Sequence, residues 1–371
     1  KKDFEEWLTT EDAGVLLNTW LGITDTPSPN TKAWKLLMGV YPHQIIWIGC
    51  MTHEVSLLMK DLVNKIPVIK QLDTQGKHLH AFVMNHDALR TSFVAHVQAT
   101  FKRLAESAPA GQQGAKLKTK YTALMNAVLY KPAATRMMAL FRMLYRIFVL
   151  KVVLVGDDIA DKRQGWLKSA EYEARSQKAL VTYNASQTGA RAIHKLPVKQ
   201  GKVEDEIWDK WTRPSTWLEV ESFLKVTVAI VFLHRVADCP CAPTLHMIYY
   251  ACCLVQKHLE LAVEGKVTDW ADEALELFNA RWARWHRPLH TLAYALSPMF
   301  ADHDLTTTEK EECLECLERL VVGRKLQEGG AREEGLREFT SVPQAFNIFK
   351  TEKCALFTQD HWGLVDHPNF C

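Results

Sequence analysis

With 371 residues, 47% of them hydrophobic, the chain is long enough for two domains, or for one domain carrying a large insertion, and can supply a real core. A net charge of +2 with 24% charged residues gives no global polyanion-binding signature, so any nucleic-acid contact has to come from a local patch. No apolar run reaches the roughly 18 residues of a membrane span, and the longest, Ile147 to Gly156, is interrupted by Lys151, so no membrane partner is expected. The N-terminal Lys1-Lys-Asp-Phe-Glu-Glu-Trp7 lacks the apolar run of a signal peptide. Nine cysteines, an odd number falling in predicted helices and their connections, read as reduced thiols of an intracellular protein.

Strand signals are few and early. Trp20 to Asp25 and Gln44 to Gly49 are short apolar runs rich in β-branched or aromatic residues, and Asp25-Thr-Pro-Ser-Pro-Asn30 between them is turn chemistry. The order is strand, loop, helix, strand. After Cys50 the period changes: Val55, Leu58, Met59, Leu62 and Val63 recur at i, i+3, i+4, i+7 and i+8, one apolar helical stripe. Helical patterns continue at about 66–81, 82–108, 115–130 and 133–154, with Ser107 to Gly114 as a break, and resume at about 214–237, 243–263 and 268–285. The polar stretch from Thr182 to Glu206 reads as a loop or surface excursion. Pro288, Pro298 and Gly329-Gly330 punctuate the C-terminal part of the chain, and no repeat of solenoid period is present. The expected fold class is mainly α: a helical domain over 66–371 attached to a small α/β segment over 1–65.

Several residue sets invite a chemical reading. Asp25, just before Thr-Pro-Ser, fits a loop or capping residue. Cys50 and His53 have Cys-x-x-His spacing, but no second pair at finger spacing accompanies them. His234, Cys239, Cys241 and His246 lie in one short span with an unusual Cys-x-Cys step, which reads as a helix connection before it reads as a zinc site. Cys313 with Cys316, one helical turn apart, and His286 with His290, straddling a proline, read as structural pairs. Lys116, Lys118, Lys120, Lys131, Arg136, Arg142, Arg146 and Lys151 form the densest basic region. Arg142 and Arg146 share a helix face opposite Leu140, Leu144 and Ile147; such a stripe fits phosphate tracking and an ordinary solvated face equally. Trp208, Trp211, Trp217, Trp282 and Trp285 read as core anchors between helices.

The stretch Ile23-Thr-Asp25, Ala33-Trp-Lys-Leu-Leu37 and Ile45-Ile-Trp-Ile-Gly-Cys50-Met-Thr-His53 resembles the middle of the catalytic core of the hAT superfamily of DNA transposases. So does Arg281-Trp282 followed by Arg287-Pro-Leu-His290 and Leu296-Ser-Pro298, which is similar to that family's Arg-Trp and His-Pro-Leu-His signature. Thr135-Arg136-Met137 with Met143-Leu-Tyr-Arg146, Trp208-Asp-Lys-Trp211, the helix from Glu219 to Phe232 and Pro243-Thr-Leu245 match the order of elements in the family's insertion domain. The resemblance covers roughly residues 20 to 300, with a weaker echo at His361-Trp362.

The resemblance implies an RNase H-like α/β segment into which a large helical domain is inserted just after the Cys-x-x-His strand. It makes Asp25 a vestigial or partial catalytic carboxylate and ligand for Mg²⁺ or Mn²⁺, places Cys50 and His53 near that site, and makes Arg281, Trp282 and His290 a structural motif; the basic region itself offers Lys131, Arg136, Arg142 and Arg146 as the nucleic-acid-binding candidates. The departures count against chemistry. The family's first catalytic Asp lies on an earlier strand and its Glu in a later Ser-rich Glu-Arg motif, and neither is matched; Asp3, Glu5, Glu6, Glu11 and Asp12 lack the family context. Met137 stands where the family commonly has a Trp, and His290 is preceded by Arg287-Pro. Two-metal phosphoryl transfer needs carboxylates converging from separate strands around ions about 4 Å apart, and a lone Asp25 would hold Mg²⁺ weakly. The expectation is a transposon-derived module that binds DNA or protein in the nucleus without an acidic triad of its own, Mg²⁺ or Mn²⁺ mattering only if other residues complete the core. The alternatives are a fragment of an active metal-dependent transposase and a protein-interaction factor, host regulator or pathogen effector, without DNA binding.

Overall fold

The computed structural model describes residues 21–25, 28–40, 46–85, 87–130, 138–155, 209–239, 245–300, 303–344 and 346, and they are mainly helical. Among them no helix is long and apolar enough to cross a membrane. They group into two compact units, one made of residues 1–60 and 228–371 and the other of residues 61–227. The first is discontinuous in sequence.

The first unit opens on the expected strand, helix, strand order. β1 (Leu21–Thr24) and β2 (Ile46–Gly49) pair in parallel, with Leu21 opposite Ile46 and Thr24 opposite Gly49, and α1 (Ser28–Val40) makes the crossover. Parallel pairing needs such a crossover, because a tight turn can only reverse the chain. The turn residues Ser28 and Pro29 are already helical, since a proline in a helix's first turn gives up an N–H that has no partner anyway. All four residues of β2 are buried, whereas Ile23 of β1 and Leu36 of α1 stay 61% and 54% exposed.

α2 (Met51–Lys65) follows β2 directly and begins in this unit; Val55, Leu58, Met59 and Leu62 of the expected stripe are buried, and Val63 is half-buried. α8 (Pro214–Ala237) ends in it. The bulk of the unit comprises α9 (Leu245–Glu264), α10 (Ala271–Trp285), α11 (Pro288–Ala295), α12 (Thr307–Gln327) and α13 (Arg332–Phe339). α9 packs on α10 and α11, α11 on α12, and α12 on α13. Ile46 of β2 joins Tyr249, Leu292, Tyr294, Cys313 and Cys316 in one buried cluster, so the strand pair and the late helices share a core. Pro288 does not merely break the chain: it is the first residue of α11.

The second unit contains α3 (Pro67–Met84), α4 (Asp87–Glu106), α5 (Gln112–Leu124), α6 (Ala139–Val149) and α7 (Lys151–Leu154). α3 packs on α4 and α6, and α4 on α5 and α7. The expected break after Ser107 is a turn ending at Gly111, whose φ of 104° suits only glycine among L-residues, at the N-cap of α5. Trp211 and Trp217 are buried anchors, each with a use for its N–H: Trp211 Nε1 donates to the Gln75 carbonyl at 3.4 Å and Trp217 Nε1 to the Trp211 carbonyl at 2.7 Å.

Gly335 gives a direct test of helix packing. A Cβ added there would stand 2.7 Å from Val322 Cα, so α13 could not keep its distance from α12. Gly335→Ala is expected to cost about 1–3 kcal/mol in urea unfolding. Gly39→Ala on α1, where nothing lies within 4 Å of the added carbon, is expected to be neutral or to stabilise by up to about 1 kcal/mol.

Candidate functional site

Parallel strands present their carboxyl ends together, and loops leaving that edge are where open α/β sheets place ligands. Asp25 follows β1 and Cys50 follows β2, and the Cys50 N–H extends the ladder by donating to the Thr24 carbonyl at 2.7 Å. Asp25 is exposed, and its carbonyl takes a hydrogen bond from Asn30 Nδ2 at 3.3 Å. Cys50 Sγ contacts Thr52 Oγ1 at 3.6 Å, and His53 lies half-buried in the first turn of α2. Trp47 of β2 donates from Nε1 to Thr24 Oγ1 at 3.0 Å, tying the strands by side chains as well. Among the described residues, no three His, Cys, Asp or Glu side chains come together as a metal site needs.

Next to these strand ends the first turn of α2 carries Glu54, almost entirely buried, and its partner lies 227 residues away: Arg281 Nη1 is 3.3 Å from Glu54 Oε2, with the two side chains only 12% and 10% exposed. The α2 N-terminus adds its own positive end to this carboxylate. Arg287, just beyond α10, places its guanidinium 5.7 Å from the centre of the Trp47 ring and donates to the carbonyls of Arg284 and His286. The Cys50-x-x-His53 segment and the Arg281-Trp282 to His290 segment therefore meet in one polar junction.

That junction continues inward. His286 Nε2 lies 3.0 Å from Glu312 Oε2 of α12, and Thr291 Oγ1 donates to the same oxygen. His290 is fully buried and its Nδ1 accepts the Arg287 backbone N–H at 3.0 Å, which leaves the proton of the neutral ring on Nε2, a buried atom without a partner. His286 Nδ1 and Trp285 Nε1 are likewise buried and unpartnered. Burial, helped by nearby His286, pushes the His290 imidazole down to about 4, so the ring is neutral at physiological pH. Aromatic rings enclose the network: Trp282 lies 4.6 Å from His286, and Tyr249 lies 5.1 Å from Tyr294 and 6.0 Å from Trp282, centre to centre. Tyr249 also donates to Glu309 Oε1 at 2.8 Å, while the other Glu309 oxygen caps α12 through Thr306.

Other sequence candidates separate from this junction. Arg142 is exposed and Arg146 half-buried on α6, with Leu140, Met143, Leu144 and Ile147 buried opposite them. Lys116 and Lys120 share an exposed face of α5, and Lys151 lies 5.2 Å over the Trp217 ring. Cys313 and Cys316 are buried in the core, and burial raises the Cys316 thiol to about 11, which suits packing better than reactivity. His234 is buried in α8. Lys131, Arg136, Met137, Trp208, Cys241, the 182–206 stretch, the early carboxylates Asp3 to Asp12 and His361-Trp362 lie outside the described residues.

Sequence reading singled out Arg281, Trp282 and His290 but missed Glu54, Trp47, Tyr249, Glu309 and Glu312, which complete their environment. Only one had a local signal, the Thr306-x-x-Glu309 capping box. Comparison with family models, with curated proteins and with solved structures finds no match to this chain.

Two outcomes are expected. Arg281→Met strands the Glu54 carboxylate and should destabilise the protein by about 2–4 kcal/mol in denaturant titration, with Arg281→Met/Glu54→Leu recovering a substantial part in a double-mutant cycle. The pH arm concerns His290: its folded value of about 4 lies below the 6.5 of the free side chain, so the unfolded chain takes up the proton first. Stability is then complete above pH 6.5 and falls as the pH drops toward 4, by up to roughly 3 kcal/mol. His290→Gln should remove that loss; an unchanged pH profile in the variant would falsify it.

Proposed function

We propose that this chain is a hAT-transposase-like, transposon-derived module with an RNase H-like βαβ segment, which binds nucleic acid or protein without carrying a complete acidic triad of its own. The observation that carries the reading is the Arg281–Glu54 pair. It closes the Arg-Trp to His290 segment onto the Cys-x-x-His strand end, the two segments that bear the strongest resemblance to the family, although residues 61–227 of the other unit separate them in the sequence. A βαβ unit with Asp25 and Cys50 at the carboxyl edge agrees with the family's core. DNA is the first partner to consider, through the Arg142 and Arg146 face of α6 and the lysines of α5; the nucleus is the compartment such a partner implies.

A second reading has its own support. Asp25 occupies the carboxyl end of a parallel strand, where a metal-binding carboxylate of an RNase H-like enzyme would be, which keeps open a fragment of a transposase using Mg²⁺ or Mn²⁺. A third, protein interaction alone, draws on Val228 and Phe232, four residues apart on α8, which stay 48% and 42% exposed.

Fluorescence anisotropy with a labelled duplex, run from low to moderate salt, separates these readings. Binding is expected to weaken about tenfold or more in Arg142→Glu/Arg146→Glu, with the salt dependence shallower by roughly two counterions. No duplex binding at low salt moves the chain to the protein-interaction reading. Strand cleavage in Mg²⁺ or Mn²⁺ that disappears in Asp25→Ala establishes the enzyme reading instead.

A further inference from the structure

A cavity of about 280 Å³ lies within the first unit, between Met38 of α1, Ile46 and Trp47 of β2, the start of α11 and one face of α12. Its walls are mostly apolar, with Pro288, Leu289 and Cys316 completing them. Its polar groups are Arg287, Arg319 and Glu315, two guanidiniums against one carboxylate. Glu315, Cys316 and Arg319 fall at i, i+1 and i+4 of α12, so the carboxylate and the guanidinium share one helix face.

Both arginines are half-buried, and burial is the main influence on each, lowering its hold on the proton. Taking a guanidinium out of water is costly unless an anion accompanies it. Glu54 lies close enough to offset some of that cost for Arg287 but is already paired with Arg281, and the Arg287 guanidinium itself meets carbonyls and an indole face. The first turn of α11, at the same wall, adds the positive end of a helix dipole. The arrangement combines an apolar, aromatic-walled space with two forked cations, which matches a small organic anion: the forks for an oxyanion head, the Trp47 side for a flat apolar body.

We propose that this cavity is a binding site for a small aromatic carboxylate, its head held between Arg287 and Arg319 and its ring against Trp47 and Leu289. The site is independent of the proposed duplex-binding face, and its success or failure leaves that reading untouched.

Isothermal titration calorimetry of the whole chain with benzoate, with its neutral isostere benzamide and with inorganic phosphate tests it. Benzoate is expected to bind saturably with one site per chain, and benzamide at least about tenfold more weakly, as the charge-assisted head contact is lost. Inorganic phosphate is expected to bind more weakly than benzoate, because it leaves the apolar wall uncovered. Arg319→Met should weaken benzoate about tenfold or more. Should that variant fold poorly, Arg319→Lys keeps the charge but loses the fork and should still weaken benzoate by a few-fold. Absence of saturable benzoate binding up to about 10 mM overturns the proposal, as does equal binding of benzamide or undiminished binding in both Arg319 variants. Phosphate binding as tight as benzoate overturns the assignment of the apolar wall. Duplex binding measured in the same Arg319 variants should stay at the wild-type level.

Discussion

A nearly buried carboxylate at the start of a helix has to be answered by a cation, and the one that answers Glu54 comes from the far side of the sequence. Arg281 sits one turn before the end of α10, and its bond to Glu54 fixes where α10 ends relative to the carboxyl edge of the strand pair. Once that end is fixed, Trp285, His286 and Arg287 fall at one set of places, and Pro288 turns the chain into α11 along the same wall. The ion pair need not add net stability, since an apolar pair of similar volume can do as well in a protein interior. Its consequence is placement: a misregistered α10 would leave two buried charges apart.

The interior of this junction is assembled from groups that are satisfied on one side only. His290 gives its Nδ1 to the backbone N–H at the α11 N-cap and leaves Nε2 alone, and His286 gives Nε2 to Glu312 and leaves Nδ1 alone. A ring nitrogen buried without a partner costs of the order of 1–3 kcal/mol. The aromatic side chains of Trp282 and Tyr249 compensate by covering the rings with apolar area rather than by supplying hydrogen bonds. A neutral histidine suits such a place because it offers one acceptor to the helix start while carrying no charge into the core.

Much of the secondary structure was legible in the sequence because it depends on period and punctuation. The strand pair around residues 21–24 and 46–49, the stripe from Val55 to Leu62, and the long helices after residue 214 arise from short β-branched runs and from i, i+3, i+4 spacing. The features that were not legible depend on distance in the chain. Nothing in the residues near Glu54 points to position 281, because a salt bridge between remote segments leaves no periodic trace. The same holds for the discontinuous unit: periodicity marks where strands cease, whereas the grouping depends on which helices return to β2, and Tyr249, Leu292 and Cys316 reach Ile46 only through tertiary packing. Of the candidate site, Arg281, Trp282 and His290 were visible as a motif, but the carboxylates that give them partners were not.

The position of Asp25 shows why a motif and a site are different claims. Its place at the carboxyl end of β1 is the one a metal-binding carboxylate would occupy, yet a divalent ion needs several oxygens converging at once, and a single exposed carboxylate is satisfied by water. The arginine junction beside Trp47 of β2 differs in kind. There Arg287 is half-buried, held by carbonyls and by an indole face, and it borders a space large enough for a ligand. Desolvated and positioned charge is what distinguishes a group that can select a ligand from one that only decorates a strand end. On that physical ground the edge of the sheet that faces α11 and α12 has the stronger claim to binding than the edge that carries Asp25.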